Sequence, residues 1–383
     1  MQNTKTYDFI IAGTGCSGLS LAMQLKTSAL DFKKVLLIDK DLKNKNDRTW
    51  CFWTKEKNSW FNSIVFKQWD KLSFKGTGLE KEFNLHPYRY CMIRGIDFYS
   101  YCMAELKNDP RFELVTDEIT GLCSEKGYAV LTTKSNIYSG SYIFNSAFRK
   151  LDEKKAHINY VQHFKGWVIE TEKDSFNEQC PVFMDFSPEQ HNDCRFVYVI
   201  PYSPTKALVE YTGFSPQALE DEAYDKALGG YLKNNLKLSS YTVVETEKGE
   251  IPMAESEFIN PWGARVINIG TAGGASKAGT GYTFYFIQKN TESLIAQIKR
   301  GTRPLLMPKR KKRYLYYDRI LLSVIDERKI AAKDIFTLLF QKNPITKLLA
   351  FLNEESTPAE DLGILNSVPK GRFTIAAIKK LIN

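Results

Sequence analysis

The sequence predicts an α/β protein: a Rossmann-like nucleotide-binding domain, an antiparallel β-sheet domain inserted into it, and a helical C-terminal region. Three observations carry this. An apolar run at residues 7–12 ends in a glycine-rich turn, followed by a helical stretch at 17–25 and a second apolar run at 35–38. That is the strand, turn, helix, strand opening of a doubly wound sheet. The middle of the chain instead carries short β-rich runs at 166–171, 182–186, 196–200 and 207–212, separated by turn or polar residues. Beyond Gly281 the pattern becomes helical at 285–299, 334–342, 346–353 and 374–382, punctuated by Pro304, Pro308, Pro344 and Pro358.

The remaining elements fill in that frame. A helix at 96–106 and strands at 112–115, 128–133 and 142–144 extend the nucleotide domain, and a strand at 265–269 returns the chain to it. Between them, 217–234 reads as helical and 241–246 as extended. The expected division is therefore 1–155 and 256–300 for the nucleotide domain, 156–255 for the inserted sheet, and 301–383 for the helical region. At 383 residues, with 43% hydrophobic and 25% charged residues, the chain is long and apolar enough to build a sizeable core.

Composition also excludes function classes. Seven cysteines without a Cys-x-x-Cys pair, and no signal peptide, point to reduced thiols in a cytoplasmic protein. His86, His157, His163 and His191 lack metal-ligand spacing, so no metal site is expected. No apolar run approaches the roughly 20 residues that span a bilayer. The net charge of +9 has a local source in the five basic residues Lys309 to Arg313, followed by Tyr314, Leu315, Tyr316 and Tyr317. With no nucleic-acid motif elsewhere, that run reads either as a contact for an anionic membrane surface or as a solvated charge run. The apolar helices around Ile335, Phe336, Phe340, Leu348, Leu349 and Phe351 read as buried packing, with a membrane-dipping pair as the alternative.

The chemistry begins at Gly13-Thr-Gly15-Cys-Ser-Gly18, which fits G-x-G-x-x-G between a strand and a helix. Gly13 permits the tight turn, Gly15 lets the backbone approach a pyrophosphate, and Gly18 lets the helix pack on the sheet. Ser17 lies in the first turn of that helix, whose unpaired N–H groups favour phosphate. Asp39 closes the second strand and is placed to bond ribose hydroxyls, which favours FAD or NAD over NADP. A late strand leads into a second glycine-rich turn, Gly270-Thr271-Ala-Gly273-Gly274, of the kind flavoproteins place near the flavin. Many of those proteins carry Asp where Thr271 stands. A plain strand-to-helix turn is the alternative reading.

Asp47-Arg48-Thr49-Trp50-Cys51-Phe52-Trp53 then resembles the signature that follows the second strand in bacterial lycopene β-cyclases, a family of flavoprotein carotenoid cyclases. The pattern recurs in Phe196-Val-Tyr-Val-Ile-Pro201, Ala207-Leu-Val-Glu210-Tyr-Thr212, Gly249-Glu-Ile-Pro252-Met253 and residues 269–284. Departures are Gly279, where serine is common, and Ser187, where arginine is common.

The resemblance implies a redox-neutral isomerisation that closes the ends of lycopene into β-ionone rings, giving β-carotene through γ-carotene. It implies FAD in its reduced, anionic form, with NAD(P)H as reductant. Glu210 matches the family's essential glutamate; Ala207, Leu208 and Val209 give it a dry setting that raises a carboxyl pKa. On a strand it shares a face with Leu208 and Thr212. An outward-facing charged strand residue is the plain alternative. Many relatives carry a second acid next in sequence; here it is Tyr211, which argues against a pair of adjacent carboxylates. Trp50, Phe52, Trp53 and Tyr211 are candidates to face the substrate or its cation, with packing as the other reading. Arg48 is a candidate for contacting the flavin or its pyrophosphate. A hydrocarbon substrate drawn from the membrane implies peripheral attachment at its inner face. Two other functions share the fold signals: a flavin monooxygenase, and a silent carotenoid- or flavin-binding protein.

Overall fold

The computed structural model describes residues 6–57, 59–148, 159–254 and 259–382. The first of two seven-stranded sheets has parallel strands Phe112–Thr116, Val35–Asp39, Thr6–Ala12 and Ile137–Asn145 side by side. Val266–Asn268 pairs in parallel with the end of the last of these. Ile10, Ile11, Leu36 and Leu37 have no exposed surface, as expected of parallel strands covered on both faces. Helix Cys16–Thr27 packs on one face beside helices Gly95–Lys107 and Phe284–Lys299. The hairpin Ile119–Ser124 and Ala129–Thr133 completes a Rossmann-like sheet.

The second sheet runs in the order Thr242–Ala254, Asn159–Glu170, Lys206–Ser215, Cys194–Ser203, Val182–Asp185, Lys71–Gly76, Leu79–Asn84. All its pairings are antiparallel except that of Val182–Asp185 with Lys71–Gly76. Helix Asp221–Asn234 covers one face through Tyr224, Leu228 and Leu232. Helices Ala332–Lys342 and Ile345–Leu352 contribute to the core on the other face.

The hairpin at 71–84 corrects the expected division, because it belongs to the inserted sheet although it lies within 1–155. Its alternating Leu72 and Phe74 need an apolar partner on one face, and Phe340 supplies it, stacked on Phe74 at 4.1 Å. Contiguity in sequence carried no information about that long-range partner. The expected boundaries at 155/156 and 255/256, and His157, lie outside the described residues.

A three-stranded sheet, Thr49–Thr54 with Arg89–Arg94 and Lys67–Trp69, joins the two large ones. The basic run leads into a helix, Lys312–Asp326, which packs on Lys370–Ile382. Ile335, Phe336, Phe340, Leu348 and Leu349 are all buried, so these helices face the protein core. Among the described residues no helix is long and apolar enough to cross a membrane.

Candidate active site

A cleft of about 600 Å³ runs from the glycine-rich turn to the inserted sheet. At its nucleotide end, Gly13 has φ +97°, and a Cβ there would meet Ser146 Oγ at 2.5 Å. A Cβ on Gly18 would fall 2.0 Å from the Gly13 carbonyl, so the helix can approach its own turn only without a side chain. Gly15 has open space where its Cβ would be and lines the cleft with Ser17. Asp39 also lines it; its Oδ2 accepts from Thr14 N at 2.7 Å and Thr14 Oγ1 at 3.1 Å, with Lys43 at 3.5 Å.

The late turn is a short 3-10 helix, Gly270–Gly273, ended by Gly274 in the left-handed region. Gly270 lies against Ser17 and Gly273 against the Asn268 carbonyl, which brings the two glycine-rich turns together. Of this turn Thr271 lines the cleft. Arg48 and Trp50 line it too, Arg48 bonding Asp47 Oδ2 through Nε at 3.0 Å and Nη2 at 2.8 Å.

At the far end, four strands of the inserted sheet put one residue each into a single row: Glu247, Gly166, Glu210 and Tyr198. Glu210 faces the cleft with Leu208, and its Oε1 accepts from Thr212 Oγ1 at 2.9 Å. It keeps partial exposure only because it borders the cleft. Burial, and then the charge and hydrogen bonding of Glu247, hold its carboxyl well above the usual carboxylate range. Glu247 is 6% exposed, its Oε2 accepts from Thr49 Oγ1 at 2.8 Å, and burial raises its pKa as well. Tyr198 and Tyr282 lie close to each other, and both line the cleft.

Strand alternation removes one expected contact and tertiary packing removes two more. Tyr211 points to the opposite face of the sheet from Glu210, packed against Tyr224 with its hydroxyl 3.3 Å from Arg195 Nη1. Phe52 is buried, stacked on Phe284 at 4.5 Å, and Trp53 is buried with its Nε1 donating to the Leu349 carbonyl at 3.1 Å. Both are packing residues. Trp50 alone of the aromatic candidates lines the cleft.

Of the departures, Ser187 is exposed just beyond the interior strand Val182–Asp185, its Oγ accepting from Asn235 Nδ2 at 2.7 Å. Gly279 borders Asp318, whose Oδ1 would lie 2.6 Å from a Cβ. Asp318 belongs to a buried ion cluster: Lys277 Nζ lies 2.8 Å from Asp318 Oδ1 and 3.3 Å from Glu354 Oε1, and Arg310 pairs with both acids. The basic run is thus divided. Arg310 and Arg313 turn inward, Arg313 Nε bonding Asp361 at 2.8 Å, while Lys309, Lys311 and Lys312 are exposed.

Glu247, Gln162, Tyr198 and Tyr282 had not been singled out from sequence. A glycine inside a strand marks close approach, and Gly166 was the available signal for Glu247. Gln162 is 7% exposed, lines the cleft, and its Oε1 has no hydrogen-bond donor.

Comparison with known proteins agrees with this architecture. The structure resembles a flavoprotein/dehydrogenase from Cytophaga hutchinsonii with TM-score 0.64 and 13% identity, covering 98% of this chain and 100% of that one. A lycopene beta-cyclase from a Paracoccus species is 26% identical over 255 residues, 65% of this chain and 62% of that protein. One from Pantoea ananas is 24% identical over 259 residues, 65% of this chain and 63% of that protein. The matches thus span less than two thirds of those relatives. The lycopene cyclase protein family itself matches residues 8–380. With that match running nearly end to end over a flavoprotein fold, the chain belongs to the lycopene cyclase family.

Proposed function

We propose that this protein binds FAD and converts lycopene to β-carotene by way of γ-carotene, closing each end into a β-ionone ring. The observation that carries the reading is one carboxyl, Glu210, placed beside the buried Glu247 and held well above the usual carboxylate range at the apolar end of a cleft that begins at a dinucleotide fingerprint. The cleft suits FAD on three counts. Gly15 leaves its backbone open to a pyrophosphate, Asp39 borders the ribose end, and Gln162 offers a buried oxygen that lacks a donor.

Reduced, anionic flavin, maintained by NAD(P)H, would supply fixed negative charge beside a developing cation. The protein's own groups carry the proton. Glu210 delivers it to the terminal alkene, a neighbouring double bond closes on the tertiary cation, and the Glu210 carboxylate takes back a ring proton. Thr212 fixes the carboxyl through its 2.9 Å hydrogen bond. Leu208, Phe164 and Ile200 line this end and keep water from quenching the cation.

The substrate resides in a bilayer, so peripheral attachment at its inner face is part of the proposal. Exposed Lys309, Lys311 and Lys312, with Leu315, Ile375 and Ile378 on neighbouring helices, form the contact surface. The decisive experiment produces the chain in a lycopene-making bacterium and analyses the pigments. β-Carotene is the expected product. Unchanged lycopene beside flavin-loaded protein would overturn the reading.

A further inference from the structure

The row Glu247, Gly166, Glu210 places two carboxyls on either side of a glycine, two strands apart on one face of the sheet. A Cβ on Gly166 would lie 3.1 Å from Glu247 Cγ and 3.4 Å from Glu210 Cβ, so the missing side chain is what lets the two stems converge. Glu247 does not line the cleft. Its Oε2 is supplied by Thr49, but its Oε1 is buried with no donor from any other group. A buried acceptor left so is costly, and a proton on Glu210 is the donor within reach.

From this geometry we infer that Glu210 and Glu247 share one proton across Gly166, with Glu247 as the anionic positioning residue that keeps Glu210 loaded as the acid. The inference deepens the cyclase reading and rests on it for its role in turnover. The partners divide the labour. Thr49 and the positive charge of Arg48 favour the charge residing on Glu247 and the Asp47 carboxylate opposes it, with Tyr202 and Cys51 also nearby. Glu210 faces Thr212, Tyr198 and Cys51 and no cation, so the proton resides there.

The proton balance closes without a co-reactant. Transfer from Glu210 to the alkene carbon forms a C–H bond as the O–H bond breaks and leaves the Glu210 carboxylate facing the carbocation with the Glu247 carboxylate behind it, so the cation offsets their repulsion. When the ring C–H bond breaks, its proton returns to Glu210, now a stronger base because Glu247 is charged beside it. The pair ends as it began.

The test uses the flavin-loaded full-length protein and needs no substrate for its first arm. The carbonyl stretch of the protonated Glu210 carboxyl, assigned by its loss in E210Q, is titrated in wild type, E247Q, E247A and E247D. Removing the neighbouring charge lowers the Glu210 pKa. The band in E247Q and E247A is therefore expected to titrate at least about one pH unit lower, with E247D staying close to wild type. In the second arm, the alkaline limb of the cyclisation profile shifts down by the same amount in the two neutral variants. An unshifted Glu210 band in either neutral variant that loads flavin overturns the shared proton, even if wild type cyclises lycopene. Failure of wild type to cyclise, with the band shifted as expected, overturns the cyclase reading and leaves the pair standing.

Discussion

Two of the buried charge clusters among the described residues are opposites. Lys277, Arg310, Asp318 and Glu354 bring two cations to two anions, with Lys277 only 2% exposed and every charge answered within 3.3 Å. Glu210 and Glu247 bring two acids together with no buried cation paired to either. The balanced cluster ties the turn carrying Tyr282 to the C-terminal helices. The unbalanced one is a strained site retained at the cleft, and strain of this kind accompanies chemistry more often than stability. The difference teaches that burial of charge alone does not locate function; in the proposed reading the buried acid without a paired cation is the one that marks the site.

The largest expected effect breaks the unbalanced cluster at its acid. E210Q should lower cyclisation by more than about a hundredfold, the usual contribution of a positioned acid, while leaving the flavin spectrum and binding unchanged. Activity retained within a few-fold would remove Glu210 from the chemistry. On the balanced side, K277M strips one cation from two buried acids and should destabilise the fold by about 3–5 kcal/mol, measured by urea unfolding. A smaller cost points to water reaching the cluster.

G279S restores the residue common in the family but places its Cβ against Asp318. Overpacking of this sort costs about 1–3 kcal/mol, read as a lower melting temperature. If Asp318 is first shortened or removed, the serine should become neutral.

Relieving the unbalanced pair should do the reverse. Both carboxyls have folded-state pKa values above their unfolded ones, so the unfolded state releases these protons first as pH rises. Stability is then lost between the ordinary carboxylate range and the raised values. E210Q and E247Q should therefore melt higher than wild type near neutrality, by about 2–4 °C for each kcal/mol relieved, and converge with it in acid. Parallel melting curves across pH would contradict the repulsion. The smallest effect lies at the surface. Changing Lys309, Lys311 or Lys312 to glutamine should weaken binding to anionic vesicles about fivefold per lysine without altering the fold, whereas R310Q and R313Q should lower stability instead.

Much of this was legible in the sequence because it depends on local rules. The glycine spacing at 13, 15 and 18 and the acid closing the next strand follow from one turn and one period, and they come together in space as the local pattern requires. The orientation of Glu210 with Leu208 and Thr212 follows from a two-residue period. The same period, applied one residue further, places Tyr211 on the other face. For Trp50, Phe52 and Trp53 an aromatic run gives no sign of which ring meets a cavity, because that depends on the Phe284 and Leu349 backbone that arrive from far along the chain.

The sequence by itself determined the nucleotide turn, the element types along most of the chain, and the family. Only tertiary structure decided which charges meet. Glu247 reaches Glu210 because three strands align across a glycine, and Arg310 turns inward because Asp318 and Glu354 await it. Local backbone preference acts over a few residues, whereas the pKa of a buried group is set by whatever the fold carries to within a few ångströms of it.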